Sequence, residues 1–190
     1  MIIQLIISIY ICIILHELAH LLSAKIVKCK VEVFSIGFGK EIFHFNYRGT
    51  KYRLALLPFG GFNKLEHELD YCRCKTALPN LSYSKKLFVL LSGCFVNIIV
   101  GVIAYYLGLK LLNENLFYFG LISFALGISN LLPIPALDGS YPFLFLIERV
   151  IPKKYSLQFI RWIVKWGFRV LSLLNILCIP WLIWNWRKIC

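Results

Sequence analysis

Two histidines four residues apart, with a glutamate beside the first, sit in a stretch that is otherwise almost wholly apolar: His16-Glu17-Leu18-Ala19-His20 within Met1–Ala24. An apolar run of this length suits one membrane-spanning helix, which rises ~1.5 Å per residue. Holding an acidic or basic side chain at bilayer depth costs roughly 2.5–3.5 kcal/mol on insertion scales, so such groups are kept where they work. On a helix, His16 and His20 project from one face and can hold a single zinc ion, with Glu17 turned toward that ion's water. The bland alternative is a pair of core histidines and a stray glutamate satisfied by helix neighbours. Lipid makes three accidental polar groups harder to accept than water does. Motif and medium together imply zinc-dependent proteolysis within a membrane.

Composition agrees with the medium. The chain is 59% hydrophobic over 190 residues with a mean hydropathy of +0.74, above the ~45–50% apolar content of soluble domains. No internal repeat, low-complexity tract or Ser/Gly/Pro-rich linker divides it. The net charge of +12 gathers in Lys25–Lys86 and Arg149–Arg169, which flank apolar spans. That is the positive-inside pattern of cytoplasmic loops, and it makes the lipid bilayer rather than nucleic acid the expected partner. The seven scattered cysteines suit free thiols better than a disulfide framework, and Cys72-Arg-Cys74 is too tightly spaced for a structural zinc pair. A cleaved signal peptide is not expected, since no Lys or Arg precedes the first apolar run.

The expected fold class is an α-helical polytopic membrane protein with a small re-entrant β-sheet. The first span covers about 2–24. Its N-terminal flank is uncharged and Lys25, Lys28 and Lys30 follow it, so the N-terminus is predicted outside and the histidines near the cytoplasmic face of the cell membrane. Residues 31–62 hold three short runs rich in β-branched and aromatic residues: Val31–Ile36, Glu41–Tyr47 and Tyr52–Leu57. Gly37-Phe-Gly39, Arg48-Gly49 and Pro58-Phe-Gly-Gly61 separate them and predict turns in an antiparallel sheet. Residues 64–86 are polar and return to the cytosol. Further spans are predicted at about 87–112 and 116–132, joined by Asn113-Glu-Asn115 and ended by Pro133-Ile-Pro135, where the helix must unwind. Residues 141–190 form a second unit after the 1–140 core. Its interfacial stretch leads to a short fourth apolar segment at 170–186, with Trp181, Trp184 and Trp186 as an interfacial belt; interrupted by Pro180, it either crosses or re-enters the membrane.

Zinc held by two imidazoles needs a third protein ligand and an open position. Asp138 is the leading candidate, because the unwound Pro133–Pro135 segment can carry its carboxylate back to the histidines and Gly139 permits a close turn. A capping role for Asp138 is the structural alternative, and His44 and His67 are the other candidate ligands.

The pairing of His16-Glu17-Leu18-Ala19-His20 with Asn130-x-x-Pro133-x-x-x-Leu137-Asp138-Gly139 resembles the site-2 protease family of intramembrane zinc metalloproteases, peptidase family M50. Ser35–Gly39, Gly49–Arg53 and Leu57–Gly61 resemble its membrane-re-entrant β-hairpin region, and Gly93-Cys-Phe-Val-Asn97 its Gly-x-x-x-Asn element in the second core helix. The resemblance runs from about Ile11 to Ser140 in the family's order. It implies a three-helix core in which His16, His20 and Asp138 bind one zinc ion and Glu17 is the general base. It further implies that Asn97 and Asn130 position the substrate near the scissile peptide; interhelical hydrogen bonds are the structural reading of both. Only Asn113-Glu-Asn115 stands where a PDZ-like insertion would lie, and a C-terminal nucleotide-sensing domain is not expected. Regulation is therefore expected to rest on a prior cleavage, on substrate size or on a regulatory membrane partner.

The implied function is hydrolysis of a membrane-anchored protein in or beside its transmembrane segment. A catalytically silent adaptor or chaperone of the same fold is one rival, weakened by the presence of all three ligands and the base. A metal-ion transporter is the other, weakened because only one broken helix is evident.

Overall fold

The computed structural model describes residues 2–66, 74, 76–147, 150–152, 155–170 and 173. The unbroken Ile/Leu-rich run at the start, without Gly or Pro, forms α1 (Ile2–Ile26), with Lys25 in its last turn, where a cation suits the free carbonyls. Two further long helices follow the sheet region, α2 (Tyr83–Lys110) and α3 (Glu114–Asn130). Ile3–Ile26 and Tyr83–Lys110 are long and apolar enough to cross a membrane, with hydropathies of 2.1 and 2.6. Their outward faces stay apolar: Ile3, Ile6, Val102, Tyr106 and Leu109 are all more than half exposed.

The helix bounds differ from the predicted spans for local reasons. α2 starts four residues before the predicted 87, because Ser82 is extended and Tyr83–Lys86 supply a polar first turn that a count of apolar residues leaves out. α3 is shifted two residues toward the N-terminus relative to 116–132. Asn113 caps it by accepting from the Leu116 amide at 3.0 Å, and Glu114 meets the positive end of the helix. The expected Asn113–Asn115 turn is thus mostly first helical turn. At the other end Pro133 disfavours helix in the residue before it. The chain unwinds over 131–137, with Ala136 at φ +84°. A 3-10 turn, Asp138–Ser140, leads into the short α4 (Tyr141–Leu146), and α5 spans 155–170. The predicted fourth span, 170–186, lies outside the described residues apart from 170 and 173.

The three predicted runs take separate places in one sheet, carried by two long, sharply bent strands, β1 (Val31–Tyr47) and β2 (Thr50–Leu65), which pair antiparallel where Val31–Ile36 meets Gly61–Leu65 and where Glu41–Tyr47 meets Thr50–Ala55. Gly37 and Gly39, read in the sequence as a turn, sit at φ +88° and +84° and bend β1 without ending it. Gly60 does the same for β2 at φ +115°. Because both strands bend, β1 has partners on two sides. Phe34 stands opposite both Asn63 and Tyr52, and Ser35 opposite both Phe62 and Arg53, while Phe45 pairs with Tyr52. The lateral order is therefore 60–65, 31–38, 50–57, 41–47. Residues 60–65, predicted to be a turn and the start of a polar loop, form the edge segment nearest α1.

The main apolar core gathers Leu21 and Ala24 of α1, Val31 and Phe34 of β1, Val89 and Leu90 of α2, Phe145 of α4 and Ile160 of α5. It ties the C-terminal half of α1 to the sheet and to α2, which is the half that carries the two histidines.

Candidate metal centre

His16 and His20 lie one helical turn apart on the buried face of α1, 7% and 9% exposed, with ring centroids 4.7 Å apart. The unwound segment after α3 brings Asp138 to them. Asp138 Oδ2 is 2.9 Å from His16 Nε2 and 3.2 Å from His20 Nε2, and the two Nε2 atoms are 3.2 Å apart. Gly139 lies against the backbone of Leu131, where a Cβ would collide with the Leu131 carbonyl. This contact folds the loop back far enough for Asp138 to reach α1. Cys94 Sγ–H also points at Asp138 Oδ2, at 3.7 Å.

α2 supplies the back wall. A Cβ on Gly93 would stand 2.5 Å from His20 Nε2 and 2.7 Å from His16 Cε1, so glycine alone lets the two imidazoles sit against this helix. Asn97, one turn further along the same face, is fully buried with its amide 3.3 Å from His16 Nδ1. His20 Nδ1 donates to the Val89 carbonyl at 2.7 Å. Ser92 joins that carbonyl to Ser23, donating to Val89 at 2.8 Å and meeting the Ser23 hydroxyl at 2.9 Å.

These contacts test whether the three side chains suit a metal ion. A carbonyl only accepts, so His20 carries its proton on Nδ1 and turns a lone pair on Nε2 toward His16 and Asp138. Among the described residues, Asn97 Oδ1 is a buried acceptor without a partner. Amide oxygen and nitrogen are assigned from the network around them, and with the Asn97 amide turned over, Oδ1 accepts from His16 Nδ1–H. The orphan is then satisfied and His16 Nε2 also presents a lone pair. Three acceptors with no proton among them face one another at 2.9–3.2 Å. Tetrahedral ligands on bonds of ~2.0–2.1 Å stand about 3.3 Å apart. The donor set, its spacing and the outer hydrogen bonds on both rings fit a divalent cation, and these three side chains could hold one.

Glu17 is turned to the opposite wall. Asn63 Nδ2 on the edge segment donates to both the Glu17 carbonyl, at 2.8 Å, and its carboxylate Oε2, at 2.9 Å. At Gly61 a Cβ would stand 2.8 Å from Glu17 Cγ. A cavity of about 320 Å³ lies between the walls, and Glu17, Gly61, Asn63, Asn130, Asp138 and Tyr141 line it. Asn130 therefore faces the cavity with Glu17 and Asp138. Asn97 does not line it and meets His16 from behind. His44 is 48% exposed and pairs with Glu41 at 2.5 Å, away from this centre. His67 lies outside the described residues. Asn63 escaped sequence reading because it follows a Pro/Gly turn signal and precedes a charged stretch; its one clue was the unbroken run Gly61-Phe-Asn-Lys-Leu65.

The sequence model of peptidase family M50 matches residues 4–114 and 109–174 of the chain. The chain belongs to peptidase family M50. Relatives outside the chain point the same way in their names. A Campylobacter jejuni protein whose name proposes a zinc metalloprotease is 43% identical over 95 residues, covering 47% of this chain and 26% of that relative. A Helicobacter pylori protein named in the same way is 38% identical over 98 residues, covering 48% of this chain and 28% of the relative. One from Borreliella burgdorferi is 38% identical over 101 residues, with 48% and 23% covered. The matched region spans about a quarter of the length of these relatives. The family is described as one of peptidases, and the names of these relatives propose zinc metalloproteases.

Proposed function

We propose that this chain is a site-2-type intramembrane zinc protease, hydrolysing a peptide bond in or beside the transmembrane segment of a membrane-anchored protein. One observation carries the reading: the three side chains able to hold a cation converge on the same cavity that the Glu17 carboxylate lines. The membrane part rests on α1 and α2, which cross the bilayer with the N-terminus outside and the lysine-flanked end of α1 at the cytoplasmic face.

His16, His20 and Asp138 would hold the zinc ion, with Val89 and Asn97 fixing the two ring tautomers from behind. When bound, zinc supplies Lewis acidity that acidifies water and polarises a carbonyl oxygen. Glu17 takes the proton from the attacking water and passes it to the leaving amine nitrogen, while Asn63 holds its carboxylate toward the cavity. No covalent intermediate with the chain is involved. Asn130, on the cavity wall, offers an amide to the peptide beside the cut. The substrate must be extended there, because a helix closes its carbonyls into hydrogen bonds. The edge segment 60–65 lines the cavity and can take such a segment as an added strand.

Membrane proteomes of cells carrying wild-type protein or Glu17→Gln test the reading. Membrane-anchored stubs accumulating only with Glu17→Gln support it; identical stub populations contradict it.

A further inference from the structure

A second concavity, of about 310 Å³, lies away from the metal centre between the end of α1 and the turn joining β1 to β2. Lys25, Lys28, Lys30, Tyr47, Arg48 and Thr50 line it. Four of these are cations, and no carboxylate is among the lining residues. Of the acids nearby, Glu66 pairs with Lys30 at 2.7 Å and accepts from the Thr76 hydroxyl, and Glu32 pairs with Lys64 at 2.6 Å. The Glu66 hydrogen bond raises the pKa of Lys30 and keeps it cationic. Lys25 Nζ donates to the Tyr52 hydroxyl and stands over its ring. Among the described residues, neither Lys28 nor Arg48 has a carboxylate within 4.0 Å.

The backbone makes those two cations conspicuous. Lys28 follows the last turn of α1 at φ +62°, where the Cys29 amide closes on the Ala24 carbonyl at 2.8 Å. Glycine or asparagine is the usual residue in such a left-handed helix end. Arg48 begins the two-residue turn Arg48-Gly49 at φ +48°, with Gly49 at +75°, a mirror-image hairpin turn whose first place favours asparagine, aspartate or glycine. Two long cations therefore occupy left-handed positions that favour short residues, and both line one concavity. Strain of this kind clusters at functional sites, and Arg48 is steadied there by the neighbouring Tyr47 ring, 5.3 Å from its guanidinium.

The level of the concavity in the molecule says what it meets. Thr50 Oγ1 donates to the Val31 carbonyl at 2.9 Å, tying the hairpin turn to the chain just after α1. Further along the same hairpin the exposed strand residues Phe43, Phe45 and Leu56 are apolar. With α1 crossing the bilayer, as the proposed function has it, the concavity stands where hydrocarbon gives way to headgroups. Basic groups at that level attract anionic lipid. We propose that the concavity between the end of α1 and the Arg48–Gly49 turn binds the phosphate of an anionic phospholipid headgroup, with Lys28 and Arg48 as its principal donors. The site anchors the hairpin at the membrane surface and so sets the depth of the edge segment that lines the catalytic cavity.

The test is native mass spectrometry of the full chain in neutral detergent, titrated with dioctanoyl phosphatidylglycerol, dioctanoyl phosphatidylcholine or inorganic phosphate. The comparison protein carries Lys28→Gly and Arg48→Asn, residues suited to the two left-handed positions, so its backbone is kept. One phosphatidylglycerol retained per wild-type chain, with retention at least roughly tenfold weaker in the double variant, is the expected result for losing two interfacial cations. Equal retention of phosphatidylcholine, or unchanged retention in the double variant, overturns the proposal. Displacement of the lipid by equimolar inorganic phosphate overturns the membrane source in favour of a soluble phosphate. Zinc content, read on the same samples, is expected to be unchanged by the double substitution. A chain that binds lipid but no zinc separates failure of the protease reading from failure of this one.

Discussion

Replacing Asn97 by leucine tests how the metal centre is supported without touching a ligand. The side chain is fully buried behind His16, and leucine keeps its heavy-atom branching while replacing the amide by two bulkier methyl groups, so helix content must be read beside zinc. What is lost is the acceptor for His16 Nδ1–H. Losing an outer-shell partner of a ligating histidine typically lowers metal affinity 10–100-fold, which is roughly 1.4–2.7 kcal/mol. Leaving a buried N–H without a partner costs about 1–3 kcal/mol, which agrees in size. Ser123 donates to the Asn97 main-chain carbonyl at 2.9 Å, a contact that survives the change and keeps α3 against α2. Zinc affinity of purified protein, measured by chelator competition at neutral pH with helix content as the folding control, is expected to fall within the 10–100-fold range. Asn97→Asp keeps an oxygen acceptor and is expected to retain zinc far better than leucine. An affinity for Asn97→Leu within about twofold of wild type would refute the idea that this amide fixes the His16 tautomer.

Gly93→Ala places a methyl group against both imidazoles, so zinc stoichiometry measured by elemental analysis should drop well below one per chain. Retained stoichiometry would mean that α1 and α2 can separate without cost. Asn63→Leu removes the charge-assisted hydrogen bond on Glu17, worth about 1.5–3 kcal/mol. The cleavage rate is expected to fall at least roughly tenfold with zinc content unchanged, and an equal loss of zinc would show that Asn63 acts on the fold instead. Phe62→Pro on the edge segment should block cleavage of a membrane-anchored substrate while zinc stays bound, and an unaffected rate would remove strand addition from the mechanism.

What could be read from the residues, and what could not, follows from how far apart the interacting groups lie. His16 and His20 are legible because a helix puts them one turn apart whatever surrounds it. Asp138 was a candidate from its place after Pro133-Ile-Pro135, but only the fold puts its carboxylate beside residues more than a hundred positions earlier. Gly93 and Asn97 carried a clue in their own spacing: four residues apart on α2, they face the same way, one making room for the imidazoles and the other bonding to one. The resemblance pointed Asn97 at the substrate, whereas its side chain lies behind a histidine, and no local pattern separates these two buried roles. Asn63 gave the least signal. Its partner Glu17 is 46 residues away, and glycines that read as turns are bends within continuous strands. The ends of α2 and α3 moved for similar reasons, since capping by Asn113 and an extended Ser82 outweigh the count of apolar residues.

The most direct test of the whole reading sets zinc content beside cleavage in the same preparation. Wild-type chain, Glu17→Gln and Asp138→Asn would be purified in detergent, assayed for zinc, and incubated with a membrane-anchored substrate whose products are mapped by mass spectrometry. The predicted result is one zinc per chain for wild type and Glu17→Gln, much less for Asp138→Asn, and a cut in or beside the transmembrane segment by wild type alone. Cleavage by Glu17→Gln at the wild-type rate, or full zinc in Asp138→Asn, would contradict it.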